Sequence, residues 1–228
     1  MLFRQRHKLW YLVSLLVVWG LLILCRPLWF HAWCATTPTP CTPDSVNAFD
    51  QMAFRFNLIR ADFLSNVLQN AIGALLFLFP WILYRKNKFS EFEGPAWRET
   101  FTALELTFWN LVTLEVVRAL VQRPRPLVFH DPMGDGSHIS QYNSFYSGHT
   151  SFVALATLHL YFMMKRRFPE ARWIQIDFFM VYLSVCILMA SLRVIGGRHY
   201  PTDTLGGFVI GTAITLIFNS KPLRTLRT

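Results

Sequence analysis

Charge is what this chain has least of. Only 15% of its 228 residues are Asp, Glu, Lys or Arg, against about 25% in soluble domains, while 53% are apolar and 16% aromatic. That balance excludes an ordinary soluble enzyme and a disordered chain. No internal repeat, low-complexity tract or Gly/Ser-rich linker divides the sequence, so residues 1–228 are expected to form a single domain. Cysteine is scarce, four in all, and none is spaced with histidine as a zinc site requires. No small-residue cleavage site follows the first apolar run, and Cys25 after Leu-Ile-Leu makes a poor lipoprotein site. An uncleaved first span is therefore expected.

What the chain does have is apolar runs, at residues 9–30, 64–84, 100–120, 150–164, 173–192 and 204–218, against the roughly 20 residues that cross a bilayer. The fourth and sixth are short unless the residues just before them extend their helices. The expected fold is all-α, a bundle of six transmembrane helices. A net charge of +9 would suit a nucleic-acid binder, but the basic residues are scattered between apolar runs and form no stripe, which argues against nucleic acid.

Their positions orient the chain instead. Arg4, Arg6 and Lys8 precede the first run; Arg85, Lys86, Lys88 and Arg98 follow the second; Lys165, Arg166, Arg167 and Arg172 follow the fourth; Lys221, Arg224 and Arg227 follow the sixth. By the positive-inside rule both termini are cytoplasmic and the first, third and fifth connections face outward. Cys34 and Cys41 bracket a Pro-rich stretch in the first of these, where an oxidising compartment permits a disulfide that spacing alone does not decide. Cys25 and Cys186 read as packing residues.

Ionisable groups at membrane spans are costly, so their clusters are candidate sites. One cluster holds Arg118, Arg123 and Arg125-Pro126. A second holds Ser147-Gly148-His149, and a third Arg193, Arg198, His199 and Asp203. All fall in the third and fifth connections or at their edges, on the outward side. The residue types suit phosphate monoester chemistry. Arg118, Arg125 and Arg193 offer guanidinium forks for non-bridging oxygens, and Ser147 and the Gly148 N–H add donors at a helix start. Asp203, four residues after His199, is placed to fix the ring tautomer and free the other nitrogen for attack. His149 supplies the general acid and base.

Singly, each element has a bland reading: an interfacial arginine pair, a helix cap, a satisfied His–Asp pair. Arg123 and Arg198 read as solvated interface residues or secondary headgroup contacts, and Glu115 as a partner for Arg118 or its neighbours. The turn-rich stretch 131–137 has too few acids for a calcium loop. The conjunction of all three clusters, in order and on one face, is what coincidence does not explain.

That set resembles the type-2 phosphatidic-acid phosphatase superfamily, whose pattern runs K-x6-R-P, P-S-G-H and S-R-x5-H-x3-D. The corresponding residues are Arg118-x6-Arg125-Pro126, Tyr146-Ser147-Gly148-His149 and Arg193-x5-His199-x3-Asp203, so the motif core spans residues 118–203. Arg118 stands where the pattern has Lys, Tyr146 where it has Pro, and Leu192 separates Ser191 from Arg193.

The resemblance implies an integral-membrane, metal-independent phosphatase without cofactor. Its phosphate ligands would be Arg118, Arg125, Ser147, Gly148 and Arg193, its acid–base residue His149, and its nucleophile pair His199 and Asp203, acting through a phosphohistidine. It also implies a site at the outer face of a bacterial inner membrane. The substrate would be a lipid phosphate or diphosphate drawn from the bilayer, of the phosphatidic acid, phosphatidylglycerol phosphate, undecaprenyl diphosphate or lipid A class, with membrane lipids and no obligate protein as partners. A lipid-to-lipid phosphotransferase would use the same residues; a non-catalytic transporter or anion-binding protein is the alternative from another class.

Overall fold

The computed structural model describes residues 2–32, 34, 41–84, 94–129 and 137–219, with side chains from residue 7 onward. The side chains of Arg4 and Arg6, residues Arg85, Lys86, Lys88, Lys221, Arg224 and Arg227, the stretch 35–40, His130 and residues 131–136 lie outside that description. Among the described residues every regular element is helical. Six are long: α1 (Leu2–Leu24), α2 (Ile59–Leu83), α3 (Pro95–Val121), α4 (Gly148–Arg167), α5 (Arg172–Ile195) and α6 (Pro201–Asn219).

Local chemistry sets their ends. The first apolar run does not stay helical to residue 30, because Pro27 has no N–H to continue the ladder. It starts a separate turn, Arg26–Trp29. The fourth and sixth helices reach 20 and 19 residues because they begin inside the motifs. Ser147 caps α4, its side chain accepting from the Thr150 N–H, and Pro201 opens α6, where a missing N–H costs nothing. α3 ends at Gln122, whose left-handed backbone (φ 45°) turns the chain back toward the site.

α4 is the centre of the bundle, with α2, α3, α5 and α6 packed around it and α1 outside against α3. Val153, Ala154, Leu155 and Ala156 of α4 are fully buried with Leu76, Leu106 and Met189 from three surrounding helices. α6 approaches closest. A Cβ on Gly207 would lie 2.5 Å from the Ser147 carbonyl oxygen, and one on Gly211 2.2 Å from that of Ser151, so these two glycines, one turn apart, let the backbones touch as small residues do between membrane helices.

Four of the six helices are long and apolar enough to cross a membrane: α2, α5, α6 and residues 7–24 of α1. α3 and α4 are long enough but less apolar. α4 is enclosed by other helices and needs no lipid-facing surface, and α3 carries acids that are paired internally. Glu99 takes a two-pronged contact from Arg166, at 3.0 and 2.6 Å, and Glu115 accepts from Arg26 and Arg118.

Candidate active site

The end of α3, the start of α4 and the α5–α6 turn converge at one end of the bundle, bringing the three sequence clusters together. The first connection joins them there. The Leu58 N–H donates to the Ile195 carbonyl, and Gly197 (φ +66°) sits so close to Phe56 that a Cβ would fall 2.8 Å from its carbonyl oxygen. Both the left-handed backbone and the contact require glycine there. Cys34 and Cys41 are joined in a disulfide, and the Cys34 N–H donates to the buried Tyr142 hydroxyl at 3.0 Å, fixing the first connection to the loop before α4.

His199 is almost fully buried. Its Nδ1 lies 2.7 Å from the Ser144 carbonyl oxygen, an acceptor only, so Nδ1 carries the proton and Nε2 keeps its lone pair. Asp203, expected to set the tautomer, lies further off: Oδ2 is 3.6 Å from Nδ1, within ion-pair range and beyond a hydrogen bond. It accepts instead from the Ser144 hydroxyl at 2.5 Å and the Tyr200 N–H at 3.0 Å. Asp203 is thus an electrostatic partner of the ring, and the Ser144 carbonyl is what the sequence did not single out. Burial holds the His199 ring neutral, its pKa pushed down to about 3.

The arginines differ in how far they are committed. Arg193 is buried and donates to Asp62 Oδ1 at 2.6 Å and Ser65 Oγ at 2.9 Å. Arg118 shares Glu115 with Arg26, the pairing expected for that acid. Arg125 has no carboxylate within ion-pair distance among the described residues, and its Nε has no hydrogen-bond partner. Burial, then the charges of Arg118, Arg193 and Arg198, push its guanidinium down to about 9. It remains charged at neutral pH, and an anion would relieve the repulsion.

His149 sits in the first turn of α4, half-buried, with Nε2 2.7 Å from Asn66 Oδ1 of α2. Ser147 is fully buried. Its N–H is taken by the Asp203 carbonyl, and its Oγ accepts from Thr150 Oγ1 at 3.0 Å, which leaves its own hydroxyl proton to donate. Gly148 lets Arg118 in: a Cβ there would meet Leu114 at 2.9 Å and an Arg118 terminal nitrogen at 3.4 Å. Tyr146, in the place of the pattern's proline, is fully buried.

Two sequence readings change. Arg123 is no solvated interface residue: it bridges Asp203 and Asp50, at 2.7 Å each. Arg198 pairs with Asp62 at 3.0 Å. Asp50, Asp62, Asn66 and Ser144 were not identified from sequence: Asp50 lies in the first connection and Asp62 and Asn66 in α2, where no motif spacing points to them, and Ser144 acts through its backbone carbonyl, which residue type does not report. For Asp50 and Asp62 the one signal was an acid at the outer side facing surplus arginine. A separate cavity of about 680 Å³ lies at the opposite end of the bundle, bordered by Tyr84, Arg98, Lys165 and Arg167, and contains none of the motif residues.

A helical bundle with long apolar helices and an arginine-lined, histidine-bearing polar centre at one end defines the class as an integral membrane protein. The sequence profile of the PAP2 superfamily matches residues 99–225, more than half of the chain. This protein belongs to that superfamily. Its fold is similar to that in the crystal structure of a transmembrane PAP2-type phosphatidylglycerolphosphate phosphatase from Bacillus subtilis, with TM-score 0.55 and 19% identity over 92% of this chain and 94% of that one. Among curated proteins none matches.

Proposed function

We propose that this protein hydrolyses a lipid phosphate or diphosphate through a phosphohistidine on His199, without metal, at the outer face of the membrane, with all six long helices spanning. The observation that carries the reading is the coexistence, at one end of the bundle, of a half-buried Arg125 with no carboxylate partner and a neutral His199 whose Nε2 makes no hydrogen bond among the described residues.

A phosphate dianion entering this centre meets guanidinium groups at Arg118, Arg125 and Arg193 and the hydroxyl of Ser147. These stabilise charge spread over the equatorial oxygens of the transferring phosphoryl group. The His199 Nε2 lone pair forms the N–P bond as the P–O bond to the lipid breaks. His149, charged once the bound phosphate dianion offsets the arginines beside it, gives its proton to the leaving oxygen in the place now held by Asn66, and the neutral ring then accepts a proton from the water that attacks the phosphohistidine as the N–P bond breaks. The substrate class comes from the family; phosphatidylglycerol phosphate, phosphatidic acid, undecaprenyl diphosphate and lipid A are the candidates to assay.

The test is inorganic phosphate release from that panel by detergent-purified protein, with and without EDTA. Release by the wild type that survives EDTA and is abolished in His199→Ala supports the reading. No release from any member contradicts it, and transfer of label to a second lipid would make the protein a phosphotransferase.

A further inference from the structure

We propose that Asp50, outside every motif and outside the segment that matches the family, is a positioning residue that leaves Asp203 electrostatically free to support His199 by taking up the charge of Arg123. The inference rests on the phosphohistidine reading above.

Arg123 lies between two fully buried carboxylates. Its Nη1 donates to Asp203 Oδ1 at 2.7 Å and to Thr202 Oγ1 at 2.8 Å, and its Nη2 to Asp50 Oδ2 at 2.7 Å. The guanidinium carbon lies over the Tyr200 ring, 4.0 Å from its centre, a cation–π contact that helps hold it in place. Asp50 is saturated from the other side: the Thr202 N–H donates to Oδ1 at 3.0 Å, the Thr202 hydroxyl to Oδ2 at 2.5 Å and Asn47 Nδ2 to Oδ2 at 2.8 Å. Burial favours the neutral acid, but these donors outweigh it and hold the Asp50 carboxyl below its usual range.

The three groups form a unit with two negative charges and one positive. Its surplus negative charge points at His199 through Asp203 Oδ2, 3.6 Å from Nδ1. That surplus matters at one step. When the neutral Nε2 bonds to phosphorus, the electron pair of the P–O bond leaves with the lipid oxygen, and the ring, still protonated at Nδ1, becomes cationic. With Asp50 present, Arg123 is shared and Asp203 retains charge to stabilise that cation. Without it, Arg123 neutralises Asp203 and the cation forms with no counter-charge in a desolvated centre. Arg118, Arg125 and Arg193, which hold the phosphate, take no part in the unit, so substrate binding does not depend on it.

A double-variant cycle separates this from a loop anchor. Asp50→Asn is expected to lower kcat for lipid phosphate release at least about tenfold while KM stays within about twofold. Asp50→Asn combined with Arg123→Gln restores the unit's net negative charge and is expected to recover kcat well above that of Asp50→Asn alone. An anchor predicts the reverse, since the double variant loses more contacts. An unchanged kcat in Asp50→Asn, or a folded double variant no faster than it, overturns the proposal. Should Asp50→Asn fail to fold, the double variant decides: kcat within about tenfold of wild type supports the charge balance, and a larger loss contradicts it. A wild type that releases no phosphate removes the phosphatase reading and this inference with it, an outcome distinct from an active wild type with insensitive variants.

Discussion

At the level of single residues, the site is organised around keeping one imidazole neutral with its Nε2 free. The Ser144 carbonyl fixes the proton on Nδ1, and Asp203 supplies charge without a direct hydrogen bond. Asp203→Asn should therefore lower kcat by on the order of a hundredfold, about 3 kcal/mol of transition-state stabilisation, whereas Ser144→Ala, which keeps the carbonyl and loses only the hydroxyl bond to Asp203, should cost about 1 kcal/mol. Steady-state phosphate release separates the two. Neutrality has a pH consequence. His199 titrates at about 3 in the folded protein, below its ordinary 6.5, so below about pH 6.5 the unfolded chain takes up a proton that the folded one refuses. That contribution is neutral above 6.5, and stability is lost progressively from there down toward 3. Melting in detergent should fall less steeply between pH 6.5 and 4 in His199→Gln than in wild type; parallel slopes would contradict the assignment.

At the level of elements, what positions the site is the contact between α4 and α6. Gly207 and Gly211 place the start of α6, with Asp203, directly on the start of α4, with Ser147, and the Ser147 N–H donates to the Asp203 carbonyl. Gly211→Val has no room short of parting the two backbones and should destabilise by about 1–3 kcal/mol or more. Gly20→Ala in α1, where nothing lies within 4 Å of the added carbon, should instead gain about 0.5–1 kcal/mol. Thermal melts of the two variants should move in opposite directions. The helices themselves were legible in the apolar runs, and their ends were not. Pro27 cut the first one short, and the motif residues Gly148 and Pro201 lengthened the fourth and sixth. α3 and α4 gave a weaker apolar signal because their polar residues face protein, where Arg166 and Arg26 complement Glu99 and Glu115.

At the level of the whole molecule, the three motif clusters were readable because their spacing is local, and alternating basic connections led to the expectation that they share one face. Asp50, Asp62 and Asn66 were hidden because they come from the first connection and α2, far away in sequence. Asp50 and Asp62 each meet an arginine more than 70 positions away, and no periodicity reports such a contact. Arg123 reads as an interface residue in sequence for the same reason: its two carboxylates are both distant. In the arrangement as a whole, the positive charges of Arg193 and Arg125 and the negative charge of Asp203 all act on the His199 ring. A covalent phosphoryl group on that ring is the account's central claim. The direct measurement is brief incubation of the purified protein with lipid carrying labelled phosphate, followed by denaturation and a test of the label's stability to acid and base. The account predicts label on the wild-type chain that is released by acid and stable to base, as a phosphoramidate should be, and its absence in His199→Ala. Phosphate release by wild type without such label at any time point, or label that persists in His199→Ala, would contradict it.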